Sequence, residues 1–142
     1  MQTPVAKQIF VNLPVKDLKR SIDFFTALGF TFNPQFTDEK ATCMIIGENI
    51  YAMLIVKSFF KTFTTKAISD ASHNTEVLTA LSVESREKVD WMANQALVSG
   101  GSLNTDPQDH GWMYGRSFQD PDSHIWELLY MDQSQLPAAP KQ

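Results

Sequence analysis

The same order of elements starts twice in this chain of 142 residues, and that restart limits the folds open to it. Ile9, Val11, Leu13 and Val15 alternate with Gln8, Phe10, Asn12 and Pro14. Period two predicts a strand with one face on a core. Val77, Thr79, Leu81 and Val83 repeat the pattern, and "VNLPV" ending at Val15 rhymes with "TALSV" ending at Val83, an offset of 68. Each strand leads into a helix. Asp17 caps one carrying Leu18, Ile22, Phe25 and Leu28 at helical spacing, closed by Gly29. Ser85 caps another carrying Val89, Met92, Ala93, Ala96 and Leu97, closed by Gly100 and Gly101.

Three short strands follow each helix: residues 30–36, 41–46 and 50–56, then 102–105, 112–118 and 125–131. "IYAMLIV" from Ile50 rhymes with "IWELLYM" from Ile125, an offset of 75. The chain therefore reads as an internal duplication. A module of about 70 residues, one helix on one small sheet, cannot bury both its faces alone. The expectation is an α+β chain of about eight strands. Two βαβββ modules, residues 7–56 and 76–132, would form a curved mixed sheet around a groove, with a connector over 57–75 and a flexible tail over 133–142. Phe59, Phe60 and Phe63 in the connector must cover something, either the groove mouth as a lid or an interface between two copies.

Composition removes several classes. Twelve basic against sixteen acidic residues give a net charge of −4, so no nucleic-acid partner is expected. The single cysteine excludes an internal disulfide or a Cys-rich zinc site. There is no signal-peptide pattern and no apolar run near the roughly 18 residues that span a bilayer, so no membrane partner is expected and the location reads as cytoplasmic.

Two segments carry a family resemblance. "VNLPVKDLKRSIDFFTALGF" (11–30) and "GRSFQDPDSHIWELLYMD" (115–132) resemble the opening and closing signatures of the vicinal-oxygen-chelate superfamily. That superfamily includes glyoxalase I, bleomycin-resistance proteins and extradiol dioxygenases. The chain looks most like its bacterial members loosely labelled lactoylglutathione-lyase-like. The resemblance implies paired βαβββ modules, which agrees with the duplication, and a homodimer. It also implies a divalent metal held by three or four side chains, one on the first strand and one on the last strand of each module. Carried over, those positions fall on Phe10, Ala52, Leu78 and Glu127. Only Glu127 offers a metal donor, so no metal and no cofactor are expected.

Glu127 is the residue on which chemistry would rest. In an apolar cleft its carboxylate could act as a general base or anchor a ligand. If the last hairpin sets Phe118 opposite Ile125, Glu127 instead pairs with Arg116. Trp112, Tyr114, Arg116 and Phe118 share one face, suited to an aromatic or anionic small molecule if it lines the groove. The same stripe could be buried against the other module or a second chain. Asn12 could offer an amide to a ligand or face water. His73, His110 and His124 fall in separate loops and read as solvated, and Cys43 reads as a buried apolar residue. Two functions remain: a metal-independent small-molecule binder of the bleomycin-resistance type, or a glyoxalase-like lyase or isomerase with an atypical metal site. An extradiol dioxygenase, needing two His and one Glu on strands, fits least.

Overall fold

The computed structural model describes residues 4–136. The chain divides into two compact units, Met1–Ser69 and Asp70–Gln142. The first runs β1 (Ile9–Val15), α1 (Leu18–Ala27), β2 (Thr31–Asn33), β3 (Ala41–Gly47), β4 (Ile50–Val56) and a short α2 (Lys57–Phe60). Its sheet order is β1-β4-β3-β2, with β1 parallel to β4 and the other pairs antiparallel. The second runs β5 (Leu78–Ser82), α3 (Arg86–Val98), β6 (Ser102–Leu103), β7 (Gln108–Asp109), β8 (Met113–Gln119) and β9 (Ile125–Met131). Its order is β5-β9-β8-β6, with β5 parallel to β9 and β7 added beside β8. The first unit is thus βαβββ, and the second follows the same strand order with β7 as one additional short strand. The α+β expectation holds, with nine strands among the described residues where about eight were expected.

Both helices start as their caps require. Asp17 accepts the N–H of Arg20 at 3.2 Å, and Ser85 accepts that of Lys88 at 3.0 Å. Gly29 and Gly100 follow in the left-handed region, at φ 101° and 112°. Pro14 is tolerated in β1 because that strand lies at the sheet edge. The strand expected over 30–36 is shorter. Pro34 has no N–H for the ladder, so Pro34–Phe36 turns into a 3-10 helix capped by Asn33. Residues 133–135 of the expected flexible tail likewise form a 3-10 turn, capped by Asp132; residues 137–142 lie outside those described. In the connector, Phe59 meets Phe63 edge-on at 5.0 Å and lies under Lys40, while Phe63 stays 63% exposed.

The β8–β9 hairpin is organised by a buried carboxylate. Asp120 is 4% exposed; its Oδ1 accepts the N–H groups of Asp122 and His124, and its Oδ2 accepts the Trp126 indole N–H at 3.0 Å. Burial pushes its pKa up, while the His124 charge and the indole N–H pull it back part of the way. His124 corrects the expectation of a solvated loop histidine. It is 3% exposed, with Nδ1 2.7 Å from Glu76 Oε1. His73 and His110 are exposed, as expected. Among the described residues, no helix is long and apolar enough to cross a membrane.

Asp120→Ala leaves a buried indole N–H and the backbone N–H groups of Asp122 and His124 without their acceptor. A loss of about 1–3 kcal/mol of stability is expected, read as a lower urea midpoint. An unchanged midpoint would refute the role of this carboxylate.

Candidate functional site

In each unit the parallel strand pair decides which side chains lie under the helix. In the second unit this is visible directly. Tyr114 Oη donates to Asp90 of α3 at 2.6 Å, and Arg116 Nη1 donates to Asp90 and Asn94 at 3.1 Å each. Phe118, Trp126 and Leu128 share that face, at 0–1% exposure. Residues of the other parity turn away from α3. Glu127 is one of them, set between Ala80 of β5 and Ser117 of β8.

The hairpin register corrects two expectations. Phe118 pairs with Trp126, one residue from the register that would set Arg116 against Glu127. Arg116 lies opposite Leu128 and forms its ion pair with Asp90, and no cation pairs with Glu127 among the described residues. The stripe expected to line a groove is instead the underside of α3, so Tyr114 and Arg116 tie sheet to helix. The acceptor at Asp90 holds the Tyr114 phenol above its ordinary pKa, with burial adding to the shift. Trp112 precedes β8, half-buried, and its carbonyl accepts the N–H of Asp132 at 2.7 Å.

In the first unit the closed stripe is Leu13, Val15, Thr42, Met44, Ala52 and Leu54, all at 0–2% exposure, with Phe24 and Phe25 of α1 as fully buried. The two units align through their caps, since Val15 and Val83 each stand two residues before one. This keeps the offset of 68 for the first strands. Leu13 pairs with Leu54 and Leu81 with Leu128, so the last strands correspond at an offset of 74, not 75. Ala52 therefore matches Trp126, and both are 0% exposed on the helix side. The residue equivalent to Glu127 is Met53. Ala52 leaves the candidate site and Met53 replaces it.

The helix-free face of the first unit carries Phe10, Asn12, Tyr51 and Met53. Phe10 is 45% exposed and stacks on Tyr51 with centroids 4.9 Å apart and planes 15° apart. Asn12 donates its amide to the Phe10 carbonyl at 3.1 Å. On the second unit the equivalent face carries Leu78, 56% exposed, and a hollow of about 60 Å³ bordered by Thr105, Asp106, Gln108, Ser117 and Glu127. Gly115 keeps that hollow open: a Cβ there would stand 2.7 Å from Leu129 Cδ2. Tyr51, Asp106, Gly115 and Ser117 were not singled out from the sequence. A glycine inside a strand does, however, signal a close approach of this kind.

Residues 7–47 match the family model described as bleomycin resistance protein-like N-terminal. No curated protein matches the chain. Solved structures match it almost end to end. The S. aureus hypothetical protein SA1046 shares 28% identity at a TM-score of 0.76, over 89% of this chain and 95% of that one. A glyoxalase/bleomycin resistance protein/dioxygenase family enzyme from Burkholderia phytofirmans shares 16% at 0.73, over 86% and 96%. TnmS3, an antibiotic binding protein from Streptomyces, shares 16% at 0.65, over 92% and 99%. The chain shares the fold of the glyoxalase/bleomycin resistance proteins.

A divalent metal does not fit the residues at the four positions that the resemblance implies, with Met53 in place of Ala52. Phe10 and Leu78 offer no donor, Met53 offers only a thioether, and Glu127 alone supplies oxygen. Zinc-like ions need three or four nitrogen, oxygen or thiolate donors. Among the described residues, no three His, Cys, Asp or Glu side chains gather into such a set elsewhere.

If Arg116 serves α3, its effect on stability must run through Asp90. Arg116→Met and Asp90→Ala are each expected to cost about 1 kcal/mol, and the double variant little more than one alone. Urea melts on the full double-mutant cycle check this, and strict additivity would break the link.

Proposed function

We propose that this chain binds a small molecule on the helix-free faces of its sheets, without the metal used by the superfamily's enzymes. The observation that carries the reading is the Phe10–Tyr51 stack, left exposed on a face from which the helix is absent. Stacked rings with one open side offer a planar platform, and aromatic surface is the main source of binding energy in such sites. On the second unit's own helix-free face, Glu127 offers an oriented polar contact of the kind that fixes a ligand's position. The fold shared with TnmS3, an antibiotic binding protein, supports a binding role. A lyase or isomerase using Glu127 as base would need an electrophile to stabilise the charge that follows proton removal, and Phe10, Met53 and Leu78 supply no nitrogen, oxygen or thiolate donor to hold one.

Protein purified without chelator is expected to carry no stoichiometric Zn²⁺, Ni²⁺ or Fe²⁺ by elemental analysis. In a ligand screen followed by amide NMR, shifts are expected on a helix-free face, at Phe10, Tyr51 and Met53 of the first unit or at Leu78 and Glu127 of the second. One equivalent of metal per chain, lost on Glu127→Gln, would return the lyase reading to first place.

The homodimer implied by the family resemblance belongs to the same proposal, and Phe63 is an apolar group in want of cover. Sedimentation velocity at micromolar concentration is expected to give twice the 16.0 kDa chain mass. A persistent monomer would remove the dimer from the proposal.

A further inference from the structure

Charge is divided unevenly along the chain. Met1–Ser69 holds eight of the twelve basic residues and five of the sixteen acidic ones, a net +3; Asp70–Gln142 holds four against eleven, a net −7. The excess of the first unit lies in its connector. From Asn49 to Ser69 the chain has three lysines, Lys57, Lys61 and Lys66, and no acid. All three are exposed, and among the described residues none of their ammonium groups has an ion pair or hydrogen bond. Lys40 joins them. Its carbonyl accepts the N–H of Val56 at 2.9 Å, and its Nζ stands 5.4 Å from the centre of the Phe59 ring, likewise without an ion pair. Asp38 and Glu39, the acids next to Lys40 in sequence, border a hollow at the start of α1 together with Lys16 and Lys19.

We infer that this segment docks on an anionic lipid surface, its lysines against the headgroups and Phe63 entering the boundary with the acyl chains. Two independent features point to that partner. Phe63 touches Phe59 edge-on yet stays 63% exposed, so folding leaves its apolar surface uncovered. Four cations without acidic partners lie in the same segment or against its Phe59, in a chain whose net charge is −4. Neither feature alone holds a protein at a membrane; reversible docking takes an apolar and a basic signal together, and four lysines reach the cluster size that anionic lipid attracts. Among the described residues no helix crosses a bilayer, and docking on its surface needs none. A second copy that met this segment with its own would set lysine against lysine. Single-stranded nucleic acid wants free ring faces for stacking, and the Phe59 ring is engaged by Lys40 and Phe63.

The test is co-sedimentation of the full chain with vesicles of phosphatidylcholine alone or with about one third phosphatidylserine. Partitioning onto the anionic vesicles is expected to be at least about tenfold stronger at low salt and to be lost at high salt. The Lys57→Gln, Lys61→Gln double variant should weaken it about 30-fold, and Phe63→Ser about fivefold. Lys88→Gln, on α3 of the second unit, should leave it unchanged. The substituted side chains are exposed, and an unchanged urea midpoint shows that each variant keeps its fold. Equal binding to both vesicle types, or equal loss in Lys88→Gln, would overturn the assignment to this segment. Failure to bind either vesicle would overturn it too. If Phe63→Ser then turns a dimer into a monomer by sedimentation velocity, the cover of Phe63 is a second copy. If a single-stranded oligonucleotide binds instead, the partner is nucleic acid.

Discussion

The parallel pairing of the first and last strand of each unit sets everything else in the site. Leu13 beside Leu54, and Leu81 beside Leu128, put matched apolar pairs under a helix. Because side chains alternate, that one choice sends Phe10, Met53, Leu78 and Glu127 to the opposite faces. The register cannot drift by one residue. A slip would bring Glu127 under α3, into the place of an indole that is 0% exposed, and drive Trp126 out. Burying an unpaired carboxylate there would cost several kcal/mol, a large part of a domain's stability margin.

The elements and their order were legible in the sequence because they rest on local signals. Alternation marked β1 and β5, capping side chains marked both helices, and turn residues marked the hairpins. The face assignments were only half legible. Glu127 was correctly expected to oppose Trp126 and Leu128, since neighbours in a strand must alternate. Which residue of β4 corresponds to Glu127 was not legible. The chance identity of Ile50 with Ile125 favours an offset of 75, whereas the hydrogen-bonded pairing requires 74. Pairing partners far apart in sequence leave no local trace, so a one-residue error in the rhyme went unopposed.

The same limit explains Arg116. An arginine two residues from Tyr114, in an alternating strand, looks like a groove cation when only the strand is considered. What decides its direction is Asp90, on a helix 26 residues earlier. Asp90 accepts from both Tyr114 and Arg116, so one carboxylate orients the whole polar half of the stripe. His124 was misread for a related reason. Its turn looks solvent-facing in sequence, but Glu76, 48 residues earlier, meets its ring and makes burial tolerable.

Asp90, Asp120 and Glu127 show how one functional group, the carboxylate, takes different roles within the second unit. Asp120 is buried and accepts three hydrogen bonds from its own hairpin, so it holds the turn and faces no ligand from solvent. Asp90 is half-exposed and spent on Tyr114 and Arg116. Glu127 differs because its neighbours cannot serve it. Gly115 contributes no side chain, Leu129 is apolar, and Ser117 is committed to Asn104 and Thr105. A carboxylate so placed keeps its full set of acceptor lone pairs toward the open face. Its unmet hydrogen-bonding capacity is therefore available to whatever donor the face receives.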